Sequence, residues 1–277
     1  MRKYCDLHTH SIYSDGTWTP TQIVCEAEKL GLSAVALTDH NSVAGLPEFL
    51  HAAKDLQVEA VAGVELSTDY GDTELHILGL FIPTKAFQKV DALVEEMLQR
   101  KMESNRLLIK NLQDAGYEIG FGEVQESAAG QFNRAHVAAK LTEKGYTPSI
   151  ESAFQTLLSK KAPFYIEPKR IDALESIAFL KSIGAAAVLA HPFLNLTEEA
   201  LRAFLAQAKE YGLDGMETIY SKYSAETTNA AVNIAKEFGL KQSGGSDFHG
   251  DRKPDIFLGT GKGNLCVPTA FFNGLRP

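Results

Sequence analysis

Seven short apolar segments constrain the fold of this chain more than any other feature of its sequence. They span residues 3–7, 34–38, 60–66, 75–81, 186–190, 215–219 and 241–246. Each is continuously apolar rather than alternating, which is typical of strands buried on both faces of a parallel sheet. Helical patterns lie between many of them, and one begins with the capping box of Thr19 and Gln22. This alternation predicts an α/β fold, and seven strands indicate a (β/α) barrel.

One long stretch interrupts the alternation of strands and helices. From about residue 83 to residue 168 the sequence is mainly helical, with patterns over 87–115, 134–144 and 149–160. We therefore predict a barrel of residues 1–84 and 167–277, with an α-helical cap domain of residues 85–166 inserted after the fourth strand. Residues 259–277 are rich in glycine, which predicts an irregular tail with one short strand near 265–267.

Composition narrows the classes of function. The 277 residues carry a formal net charge of −8, which argues against a large electrostatic contact with duplex nucleic acid. Three cysteines are too few for a disulfide framework or a cysteine-based zinc site. No apolar run reaches the ~18–20 residues of a membrane span. The N-terminus has no apolar signal segment, so we expect a cytoplasmic protein without membrane contact.

Histidines and carboxylates recur where the predicted strands end. His8 and His10 follow the first strand, and residues two apart on an extended segment point the same way. The candidate metal ligands are His8, His10, Asp15, His40, Glu65, His76, His191, Asp247 and His249. We expect them to converge, because the carboxyl ends of barrel strands form one face. Nine groups are more than one ion needs, so we predict two or three divalent ions; manganese, zinc and iron all accept imidazole and carboxylate ligands.

The blocks that carry these residues resemble the signature blocks of the PHP (polymerase and histidinol phosphatase) family. In family order they are HTH (8–10), SDG (14–16), LTDH (37–40), GVE (63–65), AHP (190–192) and GSDFH (245–249). The resemblance implies a distorted seven-stranded barrel with a site for two or three metal ions. It assigns one ion to His8, His10, Glu65 and Asp247, a second to Glu65, His76 and His191, and a third to Asp15, His40 and His249. Many relatives have histidine where this chain has Asp15.

A block in the predicted cap indicates a subgroup. The segment FNRAHVA (132–138) is similar to a block of nucleotide-hydrolysing members that carry a helical cap. The resemblance implies that Arg134 binds a substrate phosphate, which a guanidinium can do with two N–H groups, and it makes His136 a further candidate. At the end of the sixth strand, Glu217 is a candidate for binding a ribose hydroxyl or for a structural role. Tyr220 is a candidate for stacking on a base or for packing in the core.

Together these features predict a phosphoesterase that uses a metal-activated water. Asp247 is the candidate for orienting or deprotonating that water, and either His249 or a metal-bound water is the candidate for protonating the leaving oxygen. Asp6 and Asp39 stand beside ligands and are candidates either for orienting imidazoles or for capping loops. The leading hypothesis is a phosphatase of a small nucleotide, either a 5′-monophosphate or a 3′,5′-bisphosphate. The alternatives are a 5′-3′ exonuclease of short RNA or DNA, a histidinol phosphatase, and a catalytically silent binding module.

Overall fold

The computed structural model describes residues 2–126, 133–159, 161–168 and 170–277. The chain forms two compact units, one of Met1–Val94 with Ile171–Pro277 and one of Glu95–Arg170. Phe132, which opens the predicted cap block, and Lys160, which ends a predicted helix, lie outside the described residues. Within the described ranges, no helix combines the length and the apolar character that a membrane crossing requires.

A curled sheet forms the frame of the first unit. The strands are β1 (Tyr4–Cys5), β2 (Ala34–Leu37), β3 (Glu59–Tyr70), β4 (Thr73–Leu80), β5 (Ile171–Asp172), β6 (Ala186–Leu189), β7 (Gly215–Tyr220), β8 (Lys241–Gly245) and β9 (Val267–Pro268). The main sheet has the order β2-β3-β4-β6-β7-β8, with β5 beside β3, while β1 pairs with β9. After β1 the chain bridges both ends of the main sheet, because Asp6 pairs with Val35 and Thr9 with Phe248. The predicted α/β barrel class is confirmed, and every predicted strand segment overlaps an observed strand.

The expectation of an all-parallel sheet is wrong at β4, which runs antiparallel to both β3 and β6. The two-residue turn Gly71-Asp72 joins β3 to β4, and Gly71 adopts a φ of 59°. So short a connection can only return the chain in the antiparallel direction, since a parallel neighbour needs a long crossover. As a result, His76 in the first half of β4 lies opposite Ser67, near the carboxyl end of β3.

Helices follow most of the strands. They are α1 (Pro20–Lys29), α2 (Leu46–Ala52), α3 (Phe87–Asp114), α4 (Phe121–Glu126), α5 (Arg134–Glu143), α6 (Ile150–Gln155), α7 (Ala173–Ser182), α8 (Glu198–Ala208), α9 (Ala225–Glu237) and α10 (Thr269–Leu275). The predicted capping box of α1 is present, because the Thr19 hydroxyl accepts the Gln22 N–H and the Gln22 side chain accepts the Thr19 N–H. Helix α7 does not correspond to any predicted helix, and α10 lies in the tail that was predicted to be irregular.

Two apolar layers lie on opposite faces of the strands. Along β2, Val35 and Leu37 belong to an outer layer shared with helices α1, α2, α7, α8 and α9. Ala34 and Ala36 point the other way, into an inner layer. The side chains of Phe272 and Leu275 in α10 complete this inner layer. Burial of this pair, one helical turn apart, is the packing reason that the tail forms a helix.

The second unit has an apolar core of its own. Leu108 and Leu112 of α3 pack with Val137 and Leu141 of α5 and with Leu158, and all five side chains are fully buried. Helices α4 and α6 complete the unit. The predicted helical character of this stretch is therefore observed, although α6 ends at Gln155 rather than near residue 160.

Candidate metal centre

All nine candidate ligands belong to the first unit. His8 and His10 lie on the extended chain after β1, and their Nε2 atoms are 3.0 Å apart. Thr9 points the other way, and its hydroxyl donates to the Ala36 carbonyl oxygen at 2.6 Å. This alternation brings the two buried imidazoles to the same side of the segment.

Glu65 in β3 lies at the centre of the cluster and is fully buried. Its Oε1 is 2.7 Å from His76 Nδ1 and 3.1 Å from His191 Nε2. Its Oε2 lies 3.1 to 3.2 Å from a ring nitrogen of each of three other histidines, His8, His10 and His40. The two oxygens therefore face different groups of imidazoles, an arrangement in which one carboxylate can bridge two ions.

Asp15, Asp247 and His249 lie on another side of the cluster. Asp247 Oδ1 is 3.3 Å from His10 Nε2 and 3.7 Å from His8 Nε2. His249 Nε2 is 3.1 Å from Asp15 Oδ1. The Asp15 side chain is 44% exposed, whereas those of Asp247 and His249 are 6% and 2% exposed. The cluster therefore opens to solvent at Asp15.

The candidate ligands form overlapping groups whose ligand atoms lie within 4.8 Å of one another. The groups are His10, Asp15, His40 and His249; His8, Glu65 and His191; His8, His10 and Asp247; and His40, Glu65 and His76. His8, His10, His40 and Glu65 each belong to two groups. All nine residues singled out in the sequence thus come together, and the shared members are what a site for adjacent ions requires.

Three buried atoms of the cluster, within the described part of the chain, make no hydrogen bond of acceptable geometry, namely His10 Nδ1, His40 Nδ1 and Glu65 Oε2. The imidazole nitrogens near Glu65 Oε2 are close to it but are not aligned for hydrogen bonding. An unsatisfied buried polar atom costs roughly 1–3 kcal/mol. A divalent cation would satisfy the carboxylate oxygen and neutral imidazole nitrogens together, since both offer lone pairs to a metal. The donor set of the cluster therefore fits divalent metal ions.

The charges within the cluster shift the pKa values of its members in opposite directions. Burial works against the charged forms of His8 and Glu65, but their attraction outweighs it, so the pKa of His8 is raised and that of Glu65 is lowered. Burial is also outweighed at His76, where Glu65 raises the pKa to about 9. At His40, burial and the neighbouring imidazoles lower the pKa to about 4. At neutral pH, His76 is therefore protonated and His40 is not, so a metal ion must displace a proton from His76 but not from His40.

Glu217 holds two of the candidate ligands. It is fully buried, and its Oε1 lies 3.1 Å from His8 Nδ1 while its Oε2 accepts the backbone N–H of His191 at 2.7 Å. Of the two roles left open for Glu217, these contacts support the structural one, because both oxygens are engaged within the protein. A carboxylate at His8 Nδ1 directs the lone pair of the ring to Nε2, which faces the cluster.

Tyr220 and Lys253 both contact Asp247. Of the two roles left open for Tyr220, these contacts support packing in the core, because the residue is 4% exposed and its hydroxyl donates to Asp247 Oδ2 at 2.8 Å. Burial and the Asp247 carboxylate raise the pKa of Tyr220, so its hydroxyl stays protonated. Lys253 Nζ donates to the same oxygen at 2.8 Å. Lys253 could not be singled out from the sequence, because it lies beyond the last recognised block and no motif distinguishes it from other basic residues.

Asp6 and Asp39 bind backbone groups of the loops that carry ligands. Asp6 is fully buried, its Oδ1 accepts the Ser246 N–H and its Oδ2 accepts the Gly259 N–H, both at 2.8 Å. Asp39 accepts the backbone N–H and the hydroxyl of Ser11, both at 2.7 Å. These contacts support the loop-capping alternative for both residues.

Two candidate ligands adopt backbone conformations that favour glycine. The φ angle is 27° at His191 and 57° at Asp247. Such conformations cost about 1–3 kcal/mol and are concentrated at functional sites. Gly245 precedes this segment and permits a close approach, because a Cβ atom there would lie 2.3 Å from the Cβ of His8. The Asp247 N–H donates to the His8 carbonyl oxygen at 2.9 Å, which joins the two ligand segments.

The two candidates of the cap block lie in the second unit, at the start of α5. Arg134 Nη1 donates to the Leu158 carbonyl oxygen at 3.3 Å, and its Cζ lies 3.9 Å from the ring centroid of Tyr165. His136 Nδ1 accepts the Asn133 N–H at 3.2 Å and so takes part in the N-terminal cap of the helix. Local packing therefore fixes the orientation of both side chains within their unit.

Comparisons with known proteins agree with the sequence blocks. Residues 6–171 match the family model described as the PHP domain. A 5′-3′ exoribonuclease of Haemophilus influenzae is 32% identical over 250 residues, which cover 90% of this chain and 91% of that protein. A 3′,5′-nucleoside bisphosphate phosphatase of Chromobacterium violaceum is 28% identical over 247 residues, 88% of this chain and 86% of that one. A crystal structure of a candidate metal-dependent phosphoesterase from Bifidobacterium adolescentis matches with a TM-score of 0.68 and 26% identity, over 98% of this chain and 94% of that one.

Proposed function

This chain belongs to the PHP domain family and is a hydrolase of phosphoester bonds, and on that premise we propose that it is a metal-dependent phosphatase of small nucleotides. The proposed substrates are a 5′-mononucleotide such as AMP and a 3′,5′-bisphosphorylated nucleotide. The observation that carries the proposal is the cluster of six imidazoles and three carboxylates around the buried Glu65. Two relatives that match over most of their length are named for nucleotide or RNA substrates, which supports a nucleotide over other phosphate esters.

We assign the ligands to three ions. The first ion takes His8, His10, Glu65 and Asp247, the second Glu65, His76 and His191, and the third Asp15, His40 and His249. The contacts of the two Glu65 oxygens support the division between the first two sets, because Oε1 faces His76 and His191 while Oε2 faces His8 and His10. The compact groups of ligand atoms divide differently, since they place His191 with His8 and His76 with His40. When bound, manganese, zinc or iron would lower the pKa of a water molecule and neutralise charge on the phosphoryl group.

Asp247 and His249 are the proposed proton-transfer residues. Asp247 Oδ1 faces the imidazoles of His8 and His10, while Oδ2 already accepts two hydrogen bonds. Oδ1 therefore serves the first ion with one lone pair and orients or deprotonates the attacking water with the other. His249 Nε2 lies beside Asp15 Oδ1 at the solvent-exposed side of the cluster. Its Nδ1 faces the Asp247 carbonyl oxygen at 2.8 Å, so Nε2 is the atom that either binds the third ion or carries a proton. Where the third ion is not bound, His249 donates that proton to the leaving oxygen of the substrate.

Arg134 and His136 are the proposed substrate-binding residues outside the cluster. One Arg134 N–H group is bonded to Leu158, and a guanidinium has five such donors, so a phosphate can still be bound through two of them. The role of His136 rests on the resemblance of its sequence block. Replacing Arg134 by lysine keeps the charge but loses the planar pair of donors, so we expect KM to rise with little change in kcat.

A second candidate function is 5′-3′ exonuclease activity on short oligonucleotides. It is favoured by the exoribonuclease relative, which is 32% identical over 90% of this chain. A nucleotide 3′,5′-bisphosphate and a 5′-phosphorylated oligonucleotide both carry phosphorus on the 3′ oxygen of a 5′-phosphorylated nucleoside. Cleavage of that bond releases inorganic phosphate in the first case and a mononucleotide in the second. The same ligands would serve both reactions.

A panel of substrates separates these functions. The protein is stripped of metal, reloaded separately with manganese, zinc or iron, and given AMP, an adenosine 3′,5′-bisphosphate, 5′-phosphorylated trinucleotides of RNA and DNA, and histidinol phosphate. We expect phosphate release from the nucleotides, with loss of activity in Asp247→Ala and retention in the control His51→Ala, whose side chain is exposed. Faster cleavage of the trinucleotides would favour the exonuclease. Hydrolysis of histidinol phosphate alone, or of none of these esters with any metal, would refute both nucleotide functions.

A further inference from the structure

The two carboxylate oxygens of Asp247 have different partners. Oδ1 lies 3.3 Å from His10 Nε2 and 3.5 Å from His249 Nδ1. Oδ2 accepts hydrogen bonds from the Tyr220 hydroxyl and the Lys253 ammonium, both at 2.8 Å. The Asp247 and Tyr220 side chains are buried and that of Lys253 is 29% exposed, so these charge-assisted bonds are shielded from water.

This arrangement determines which oxygen of Asp247 can bind an ion. A carboxylate oxygen has about two acceptor sites, and two donors therefore saturate Oδ2. Rotation of the carboxylate to exchange its oxygens would break both bonds at once. The backbone of Asp247 is also fixed, because its φ is 57° and its N–H donates to His8. Only Oδ1 is therefore presented to the cluster.

We propose that Tyr220 and Lys253 are positioning residues that hold Asp247 as a single-oxygen ligand. The inference rests on the assignment of Asp247 to a metal ion under the proposed function. Tyr220 orients the carboxylate from the end of β7, and Lys253 does so from the loop that follows His249. Without the pair, the carboxylate can rotate, so the ion is held less tightly and the water is oriented less well.

Conservative variants test the proposal. Tyr220→Phe removes only the hydroxyl, Lys253→Met removes only the ammonium, and the double variant removes both donors. The matched controls are Tyr70→Phe, whose hydroxyl contacts Gln207, and Lys262→Met, whose ammonium pairs with Asp255. Ions retained per chain are counted by elemental analysis across a series of chelator concentrations. Separately, kcat and KM are measured with 4-nitrophenyl phosphate.

We expect each single variant to lose one ion per chain at a chelator concentration about tenfold lower than the parent protein requires, and the double variant to lose it more readily. The controls should match the parent, and kcat should fall in the variants with KM within twofold. Lys253→Arg, which keeps a cationic donor, should restore part of the retention. Circular dichroism checks that each variant is folded. If Tyr220→Phe does not fold, Lys253→Met alone tests the proposal.

Two results would overturn the proposal. One is a folded double variant that retains ions and turns over as the parent does. The other is unchanged ion retention with a raised KM in Lys253→Met, which would make Lys253 a substrate-binding residue. Ion retention is read without any substrate, so a failure of the nucleotide assay leaves this test intact. If the parent protein itself retains no ions, the metal assignment of the proposed function fails instead.

Discussion

Glu217→Gln is an almost isosteric change, and we expect it to prevent the neighbouring His8 from binding a metal ion. The two oxygens of Glu217 meet His8 Nδ1 at 3.1 Å and the backbone N–H of His191 at 2.7 Å. A backbone N–H can only donate, so the single oxygen of a glutamine is required at His191. The amide NH₂ then faces His8 Nδ1, which must accept a hydrogen bond. In the neutral imidazole, the ring proton consequently moves to Nε2.

The expected magnitude follows from the position of that nitrogen. His8 Nε2 lies 3.1 Å from Glu65 Oε2 and 3.0 Å from His10 Nε2, in the middle of the candidate ligands. A protonated Nε2 offers no lone pair to a metal. Altering an outer partner of a metal-bound histidine typically costs about 10–100-fold in metal affinity. We expect the upper part of that range, about 2–3 kcal/mol, because the change removes the lone pair instead of merely loosening the ring.

Isothermal titration with manganese or zinc measures this loss, and nitrogen-15 NMR of labelled histidine reports which nitrogen of His8 carries the proton. Glu237→Gln is the matched control, because its carboxylate is half-exposed and pairs with Arg202 on the surface. The control should bind ions as the parent does. If Glu217→Gln also binds them with parental affinity, or if His8 keeps its proton on Nδ1, then the tautomer argument is wrong.

Three further predictions concern the same cluster. Gly245→Ala should lower the free energy of unfolding by about 3 kcal/mol, because its Cβ would lie 2.3 Å from that of His8. Urea unfolding measures this loss. In the control Gly122→Ala, whose Cβ would have no atom within 4 Å, the free energy of unfolding should not fall. The affinity for metal ions should rise from pH 6.5 to 9, because Glu65 outweighs burial and raises the pKa of His76 to about 9, so that binding releases a proton. Calorimetric titration in buffers of different ionisation enthalpy measures this release. Equal heats of binding in all buffers would contradict the prediction. Asp247→Ala should reduce phosphatase turnover at least a hundredfold at saturating metal. If the variant turns over as fast as the parent protein, Asp247 has no catalytic role.

The sequence could predict most strands and the candidate ligands because both depend on local patterns. Buried strands are short continuous apolar runs, and polar side chains directly after such runs lie at one edge of a sheet. The direction of β4 also had a local signal, the dipeptide Gly71-Asp72 between two apolar runs, which is typical of a hairpin. The assumption of a parallel barrel overrode it. His76 still reaches the cluster, because reversing β4 brings the first half of that strand to the ligand-bearing edge.

Other features of the structure had no local signal. Helix α10 has no side-chain cap and contains a glycine, so its sequence alone gives little reason to expect a helix. It forms because Phe272 and Leu275 complete the inner apolar layer. Glu217 and Lys253 are similar cases, since their roles depend on contacts with His8 and Asp247. Glu217 lies 209 residues along the chain from His8, a pairing that periodicity cannot reveal.

The segment that carries His8 and His10 also closes the barrel, and this links the fold to the site. Thr9 pairs with Phe248 of the last ligand block, and Asp6 pairs with Val35 of β2. The buried Asp6 carboxylate also accepts hydrogen bonds from two loops, one from the N–H of Ser246 and one from the N–H of Gly259. The contacts that close the sheet therefore also set the distance between the first and last ligand blocks. Strand β1 itself is only two residues long, so the position of the segment that carries His8 and His10 depends mostly on side-chain hydrogen bonds and on isolated backbone pairs. A substitution that loosens the closure should therefore weaken ion binding before it unfolds the rest of the chain.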